Sequence, residues 1–459
     1  MQMRFIHRAL RASCTGAAAL GLVAMSACDN PQNTLLEQQQ PQVILPIDVQ
    51  SATGALGLYT GALGRLRSEL NGGNNNQEAL WNMMGLMTDE FKSGDTFSQR
   101  NDADQRITQA SDGVMTSTYN GVQQARGRAR DAISALKQYS PTETSKIGEM
   151  YMSMGFFELT LAQNFCNGIP LGETVGGIPQ YTEPLTNAQV LASAIARFDS
   201  ALAVLTGADA QTAHVRNATL VAKARAQVDL AQFAAAAATV AAVPTAYQYL
   251  ILYSINTQSN EWWQMSTSTK RYTVGDSFDV AGVIRNAIPF ASLGDPRVKV
   301  NRTTTRAFDT VTPYHEFTNY GREDAVALVS GTDARLIEAE AKLQGNDVAA
   351  MMTILNLLRT APPKIGNYQP AVMAALPTPA SQSAATDLYF REKALWQFGR
   401  GERISDLRRL VRQYNRTQDN VFPSGPFHKN GTYGTNVAFP VPDTEKTNTN
   451  FKGCLDTKA

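Results

Sequence analysis

Apolar residues recur every three or four positions along most of the chain, and polar stretches separate these repeats. Such spacing places the apolar side chains on one face of a helix. It is clearest over residues 111–243 and 331–412. In the first of these stretches, the recurring positions include Val122, Ala125, Ala129, Ile133 and Leu136. The pattern therefore predicts a mostly α-helical body built from neighbouring helix–turn–helix units.

Start and stop signals divide this pattern into separate helices. Thr186, with Gln189 three residues later, is typical of a capping box, in which each side chain bonds the backbone amide of the other residue. Gly168 followed by Pro170 indicates a helix end. The resulting periods are near those of tetratricopeptide repeats. The helical pattern fades over residues 247–320, which predicts an inserted face of loops and short strands.

The N-terminal segment has the composition of a targeting signal rather than of a folded element. Arginines precede a short apolar core that ends in small residues just before Cys28. This core is shorter than the roughly 20 apolar residues of a membrane span. We therefore predict a lipoprotein signal peptide over 1–27, lipidation of Cys28, a flexible tether over 28–45 and a single body over 46–459. A plain secretory signal cleaved near Ala27 is the alternative.

Charge and composition narrow the functional classes. The chain has 41 Lys and Arg against 40 Asp and Glu, with no basic run, which argues against a nucleic-acid partner. Beyond the targeting signal the histidines are His214, His315 and His428, and none has a second His at metal-ligand spacing. The sequence contains no nucleotide-binding fingerprint and no nucleophile motif. We expect no metal, no cofactor and no catalytic residues, in a protein that is not an enzyme.

The stretch 388–412 is predicted to form two helices separated at Gly399 and Gly401. Arg403 and Asp406 lie three positions apart in the second helix, so their side chains share a face. Apolar neighbours surround them, and a buried ion pair is stable only with good hydrogen-bond geometry. We therefore predict a structural ion pair between these two residues.

The same stretch resembles the signature of a known protein family. Its order of acidic, glycine, arginine and leucine positions is similar to E-R-x-x-E-L-x-F-E-G-x-R-x-x-D-L-x-R, found in SusD/RagB-like outer-membrane nutrient-binding lipoproteins. Further similarities follow in the family's order: the lipobox at Cys28, the helix end at Gly168, the Ala-rich helices, and the Pro-Val-Pro tail from Pro440. The matching signature positions are Glu392, Gly401, Arg403, Asp406, Leu407 and Arg409.

The resemblance implies a helical body of tetratricopeptide-like units with a loop-rich face inserted between them. It also implies a cell-surface protein, anchored to the outer membrane by lipid, that binds an oligosaccharide or a peptide as a nutrient. Its implied partner is a SusC-like TonB-dependent transporter. The alternative is a helical-repeat lipoprotein that scaffolds an envelope complex without a small ligand.

The resemblance further implies that ligand contacts come from the polar loop before the first repeat and from the 247–320 insertion. Within these regions the choice of residues rests on side-chain chemistry. Aromatic rings offer flat faces to sugar C–H groups, while charged groups bond hydroxyls or a peptide backbone. Adjacent strand positions face opposite ways, so we expect one of two neighbouring tryptophans to be buried. The candidate ligand-binding residues are Asp95, Phe97, Arg100, Trp262, Trp263 and Tyr272.

The cysteines suggest a further link across the chain. Export would place the protein in an oxidising compartment. With Cys28 lipidated, the cysteines left in the body are Cys166 and Cys454. A disulfide between them would attach the C-terminal tail to the helix end near Asn167. Two unpaired thiols are the alternative, because cysteine is often a small buried apolar residue.

Overall fold

The body of the protein, Ser51–Ala459, forms one compact unit in a computed structural model. The predicted signal peptide over 1–27, the lipidation site Cys28 and the tether over 28–45 lie outside the described residues. Among those described, no helix combines the length and the apolar character needed to cross a membrane. The described residues are 50–72, 78–175, 178–279 and 283–459.

Helices dominate the described chain, which confirms the mostly α-helical fold class. The helices of the first half are α1 (Ala52–Asn71), α2 (Leu80–Met87), α3 (Ser98–Gln105), α4 (Gly113–Tyr139), α5 (Thr144–Asn164), α6 (Asn187–Val204), α7 (Ala210–Asp229) and α8 (Phe233–Val240). Those of the second half are α9 (Phe290–Leu293), α10 (Gly331–Gln344), α11 (Val348–Thr360), α12 (Gln382–Trp396) and α13 (Arg403–Gln413).

The helices pack against one another largely in chain order. Helix α4 contacts both α1 and α5, and contacts then run from α5 through α6 and α7 to α8. The series continues from α8 to α10, which in turn packs against α11 and α12. Each helical unit buries its apolar face against the next, as in repeat proteins, which produces one large core and a smaller one formed by α1, α4 and α5.

Local sequence explains where these helices begin and which face they bury. Asp112 caps α4, since its carboxylate accepts hydrogen bonds from the amides of Val114 and Met115. Helix α6 begins with the predicted capping box of Thr186 and Gln189. Burial of one large aliphatic side chain contributes about 1.5–3 kcal/mol, so the apolar face decides the packing. The face of α4 that is buried carries Val122, Ala125, Ala129, Ile133 and Leu136.

Short strands make up the rest of the regular structure. The strands are β1 (Phe91–Ser93), β2 (Glu173–Val175), β3 (Ile178–Gln180), β4 (Gln248–Ile251), β5 (Tyr272–Val274), β6 (Val300–Arg306), β7 (Pro313–Phe317) and β8 (Val326–Ser330). In the described chain they form two-stranded antiparallel sheets, in which β1 pairs with β5, β2 with β3, β4 with β8, and β6 with β7. Strands β4 to β7 occupy the predicted loop-rich insertion over 247–320.

The ion pair predicted between Arg403 and Asp406 is wrong, because each residue has other partners. Arg403 binds Asp89, with Nε and Nη2 at 2.7 and 2.9 Å from the two carboxylate oxygens. Asp406 accepts hydrogen bonds from Lys393 at 2.5 Å and from Arg409 at 3.0 Å. Spacing along one helix shows which side chains share a face, but it does not show which groups other segments bring to that face.

Gly399 and Gly401 join α12 to α13 at positive φ angles of 71° and 70°. Tryptophan rings occupy the space that a Cβ atom would fill at these positions. Such an atom would lie 3.3 Å from Trp262 at Gly399 and 2.3 Å from Trp81 at Gly401. The indole N–H of Trp262 also donates to the carbonyl oxygen of Gly399 at 2.7 Å. The junction therefore requires glycine for both backbone conformation and packing.

The C-terminal tail contributes apolar side chains to the core. Phe439, Val441 and Phe451 are buried. A disulfide joins Cys166, just after α5, to Cys454 in the tail. The tail is therefore attached to the helical body by packing and by a covalent bond.

Candidate ligand-binding site

The loop after β1 lies beside the start of β5 because these two strands pair in antiparallel register. The amide of Gly94 donates to the carbonyl oxygen of Arg271 at 2.8 Å, which places the next residue, Asp95, beside Arg271. The loop then leads into α3, which carries Arg100. Segments far apart in the chain thus bring one acidic and two basic side chains together.

Asp95 is buried, and each of its carboxylate oxygens has a different arginine partner. Oδ1 accepts a hydrogen bond from Arg271 at 2.5 Å, and Oδ2 accepts one from Arg100. Burial raises the pKa of Asp95, but the hydrogen bonds from the two arginines outweigh this effect and leave the pKa below its ordinary value. Arg100 also binds Glu78, with Nη2 at 2.6 Å from Oε2. The positive charges of the two arginines are therefore balanced by the negative charges of Asp95 and Glu78.

Two exposed phenylalanine rings flank this ionic cluster, and each lies near one of its arginines. The guanidinium carbon of Arg271 is 3.9 Å from the ring centroid of Phe308. That of Arg100 is 5.8 Å from the centroid of Phe97, within the range of a cation–π contact. Phe97 and Phe308 are 45% and 46% exposed. We call the set of Asp95, Phe97, Arg100, Arg271 and Phe308 the Asp95 platform.

The loop that carries Phe308 is held by its neighbour Asp309. The carboxylate of Asp309 accepts hydrogen bonds from the amide and the hydroxyl of Thr312 and pairs with Lys429 at 2.8 Å. Burial raises the pKa of Asp309, but the hydrogen bonds from Lys429 and Thr312 lower it to about 2. The amide of Phe308 also donates to the carbonyl of Lys270 at 2.9 Å. Because these contacts fix the loop that carries Phe308, little conformational freedom is lost there when a ligand binds.

The chemistry of the platform suits binding rather than proton transfer. The phenylalanine rings offer flat apolar faces, and the side chain of Arg271 is 30% exposed, so its guanidinium can donate to a ligand oxygen. Asp95 would be a poor general base, because both its oxygens are bound by cations. The arrangement is typical of a recognition surface.

Trp262 and Tyr272, which the sequence predicts as ligand contacts, are core residues, and this part of the prediction is wrong. Both side chains are fully buried. The ring of Trp262 stacks on Phe91 with centroids 4.2 Å apart. The hydroxyl of Tyr272 donates to Glu78 at 2.7 Å. Neither ring offers a face to a ligand, because apolar packing against the body stabilises both inside it.

Trp263 is half-buried and is not part of the platform. Its ring lies against Arg322, whose guanidinium carbon is 5.4 Å from the ring centroid. The expectation of one buried tryptophan rested on strand alternation, whereas Trp263 begins a π-helical turn, Trp263–Ser268. One tryptophan of the pair is buried and the other is partly exposed, but for a different structural reason. Of the six predicted residues, the platform keeps Asp95, Phe97 and Arg100.

Arg271 and Phe308 are the platform residues that the sequence did not predict as ligand contacts. Arg271 immediately precedes Tyr272, and alternation could have indicated that one of the two faces outward when the other is buried. Phe308 is an isolated aromatic residue in a polar, Thr-rich segment, a setting that favours an exposed ring. What the sequence does not reveal is that the segment around Phe308 folds against Gly94, whose carbonyl accepts a hydrogen bond from the amide of Asp309 at 2.8 Å.

A second cluster, Asp276, Asp279 and His315, has the residue types of a metal site. Its possible ligand atoms all lie within 4.8 Å of one another. The ammonium group of Lys92 binds the backbone carbonyl of Asp276 and Oδ2 of Asp279, the latter at 2.9 Å. The other oxygen of Asp279 lies 3.0 Å from Nε2 of His315. Because the lysine already supplies a positive charge there, the cluster fits an internal ion pair better than a cation site.

Comparison with known proteins identifies the architecture. No protein-family model and no curated protein sequence matches the chain. Among solved structures, it is similar to a SusD-like carbohydrate binding protein from Bacteroides vulgatus, with a TM-score of 0.65 and 15% identity over 88% of this chain and 97% of that chain. A SusD-like carbohydrate binding protein from Bacteroides fragilis gives a TM-score of 0.63 and 14% identity over 88% and 99%. The chain has the SusD-like fold.

The similarity covers most of the chain, so it extends over both the helical units and the 247–320 insertion. A SusD/RagB family protein from Bacteroides thetaiotaomicron is also similar, with a TM-score of 0.58 and 14% identity over 85% of this chain and 94% of that chain. The predicted SusD/RagB resemblance is confirmed at the level of the fold. At such identities the SusD-like fold carries over, and the ligand must be argued from the side chains of this protein.

Proposed function

We propose that this protein binds oligosaccharides at the outer surface of a bacterial outer membrane and delivers them to a SusC-like TonB-dependent transporter. The observation that carries the proposal is the Asp95 platform, where exposed rings lie beside arginines that a buried carboxylate orients. Two solved structures with the same fold are described as carbohydrate binding proteins, which supports the same ligand class here.

The charge balance of the platform favours an uncharged, hydroxyl-rich ligand. Arg100 and Arg271 are already neutralised by Asp95 and Glu78, so the platform has little excess attraction for an anion. The C–H faces of a sugar can pack on Phe97 and Phe308, while its hydroxyls accept hydrogen bonds from guanidinium groups. Each of these contacts uses a group that the platform exposes or orients.

The same groups favour a sugar over a peptide. Peptide backbone binding needs acceptors for N–H groups as well as donors for carbonyls. The strongest acceptor of the platform, Asp95, is already engaged by Arg100 and Arg271. Sugar hydroxyls can act as acceptors alone, so they suit a donor-rich surface better.

We further infer that the protein acts without catalysis and that lipid at Cys28 attaches it to the membrane. Attachment would keep the platform near the transporter, and the tether over 28–45 would let it reach the channel. Replacement of Cys28 by Ala should release the exported protein from the membrane fraction. Mass spectrometry that shows an unmodified mature N terminus in the wild type would contradict lipid anchoring.

A carbohydrate array tests the ligand class. The wild-type chain should bind at least one printed oligosaccharide, and the Phe97→Ala/Phe308→Ala double variant should lose most of that signal. Leu357→Ala, which truncates an exposed side chain on α11, is the matched control and should bind as the wild type does. Binding only to peptide libraries would favour a peptide nutrient. Capture of the same envelope proteins by the wild type and the double variant, with no carbohydrate binding, would favour the scaffold.

Membrane fractions test the delivery step. If the protein passes its ligand to a transporter, a TonB-dependent barrel should co-purify with it from detergent-solubilised outer membranes. Deletion of that barrel should abolish uptake of the bound oligosaccharide without abolishing its capture by intact cells. Normal uptake in the deletion strain would contradict the partnership.

A further inference from the structure

An open cleft of about 470 Å³ lies between α4 and the β2–β3 sheet, on residues that the Asp95 platform does not include. Glu445 and Asn448, from the C-terminal tail, also line it. The volume falls in the range of about 300–1,000 Å³ that small-molecule sites occupy. The proposed function makes no use of this cleft.

Gly127 lies on the face of α4 that lines the cleft, where it contributes no side chain. Apart from its chain neighbours and the backbone of its own helix, a Cβ atom at this position would meet nothing within 4 Å, so the space in front of Gly127 is open. Glycine in the interior of a helix is less favourable than alanine by roughly 0.5–1 kcal/mol. The helix therefore leaves room at a position where a side chain would fit and would strengthen it.

Polar groups beside Gly127 are fixed by a network of hydrogen bonds. Arg126 is almost fully buried, and its Nε donates to Oε1 of Gln123 at 3.1 Å while its Nη2 donates to the carbonyl of Gly172. Gln123 donates in turn to the carbonyl of Pro170 at 2.9 Å. Groups held in this way are oriented before a ligand arrives, which lowers the entropy lost on binding.

Charges around the cleft are balanced in number, and Arg130 is paired with two of the carboxylates. Arg130 lies 2.8 Å from Asp131 and 3.8 Å from Glu173. Equal numbers of basic and acidic residues occur among the described lining residues, namely Arg126, Arg128, Arg130, Asp131, Glu173 and Glu445. Such a lining offers both donors and acceptors but attracts neither anions nor cations strongly.

An aromatic ring completes the lining. Tyr181 is 53% exposed and lies at the cleft together with Pro179. A flat ring beside paired donors and acceptors matches a sugar, which has C–H faces and hydroxyls that both donate and accept. We propose that this cleft is a second carbohydrate-binding site, which takes a short stretch of a neutral sugar chain. It would hold a second segment of a long polysaccharide, or a second chain, independently of the platform.

The test blocks the cleft without disturbing the core. Gly127→Trp places a large side chain into the empty space, and Gly127→Ala is the matched control, because it changes the helix without filling the cleft. Both are made in the full chain, purified in detergent, in the wild-type and in the Phe97→Ala/Phe308→Ala backgrounds. The probes are immobilised amylopectin, galactomannan, xyloglucan and mixed-linkage β-glucan, with polygalacturonate as an acidic polymer. Tyr181→Ala is a second cleft variant, which removes the exposed ring without adding volume.

We expect the Phe97→Ala/Phe308→Ala variant, the platform double variant, to keep residual binding to a neutral polymer. Gly127→Trp and Tyr181→Ala should each reduce that residual binding about tenfold, as loss of one main contact does, and Gly127→Ala should not. Circular dichroism should show the same helical content in all variants.

The inference is overturned if both cleft variants bind every neutral polymer as their parents do, if only polygalacturonate depends on the cleft, or if the wild type binds no polymer. If the platform double variant binds as the wild type does, the platform proposal fails while the cleft inference stands or falls on Gly127→Trp.

Discussion

Arg403 and Asp89 form a two-point ion pair across 314 positions of the chain, with nitrogen–oxygen distances of 2.7 and 2.9 Å. Both side chains are buried, so the pair links α13 to the segment that leads into the candidate site. Asp89 also accepts a hydrogen bond from the amide of Ile288 at 2.7 Å. One carboxylate thus joins three parts of the body.

Removal of one partner of this pair should destabilise the fold strongly. Arg403→Leu leaves the buried charge of Asp89 without its cation, and the free energy of unfolding should fall by about 3–5 kcal/mol. Urea denaturation measures the change. Arg412→Ala is the control on the same helix: Arg412 is partly exposed and 4.0 Å from its nearest carboxylate, so the loss should be below about 1 kcal/mol. If the two variants lost the same free energy of unfolding, the ion pair with Asp89 would not contribute more to stability than a surface contact does.

The disulfide between Cys166 and Cys454 should contribute measurably to stability. It closes a loop of 288 residues, and removal of a native disulfide typically costs about 2–5 kcal/mol, with long loops at the upper end on the chain-entropy model. The Cys166→Ala/Cys454→Ala variant and the wild type in dithiothreitol should therefore unfold at similarly lower urea concentrations. Labelling of the denatured, unreduced wild type should detect no reactive thiol from this pair. Two labelled thiols would show that the bond does not form.

The rings of the platform should contribute directly to ligand affinity. Phe308→Ala and Phe97→Ala should each weaken binding by about 1–3 kcal/mol, as loss of an aromatic anchor does, without changing the free energy of unfolding appreciably. Calorimetric titration with the oligosaccharide that binds best on the array gives the affinities. Unchanged affinity in both variants would exclude the platform as the main site.

Stability should fall as the pH rises, in part because of Glu90. Burial raises the pKa of Glu90 from 4.5 to about 8, although a hydrogen bond from the amide of Gly399 opposes the shift. The folded state therefore keeps this proton after the unfolded state has lost it. The stabilisation is complete below pH 4.5 and is lost as the pH rises to about 8. Burial raises the pKa of Glu402 and of Asp104 to about 7, which acts in the same direction.

Glu90→Gln isolates the contribution of that residue. The glutamine side chain is uncharged at every pH, so the unfolding free energy of the variant should decline less steeply than that of the wild type between pH 4.5 and about 8. At the upper end of this range the variant should be the more stable protein. His428 acts with the opposite sign, since burial lowers its pKa to about 3, and it affects both proteins alike. Parallel pH profiles would mean that Glu90 titrates normally.

The helical body is predictable from sequence because its determinants are local. The apolar face of α4 and the capping box of Thr186 and Gln189 involve residues only a few positions apart, and burial follows from their spacing. The SusD/RagB resemblance adds the arrangement of the helices, which local patterns do not contain.

The candidate site is less predictable because non-local contacts decide which side chains are exposed. Trp262 and Tyr272 have the chemistry of ligand contacts, yet packing against Phe91 and Glu78 removes them from the surface. Arg403 shares a helix face with Asp406, yet its partner comes from the other end of the chain. Pairings of this kind depend on the topology of the whole chain rather than on periodicity.

The Asp95 platform draws its members from the early loop and from the central insertion, and Lys429 near the C terminus supports one of its loops. A polypeptide that emerges N terminus first therefore has no complete recognition surface until almost all of it has arrived. A molecule terminated before Lys429 would carry every residue of the Asp95 platform but would lack the ion pair that holds the loop of Phe308 in place.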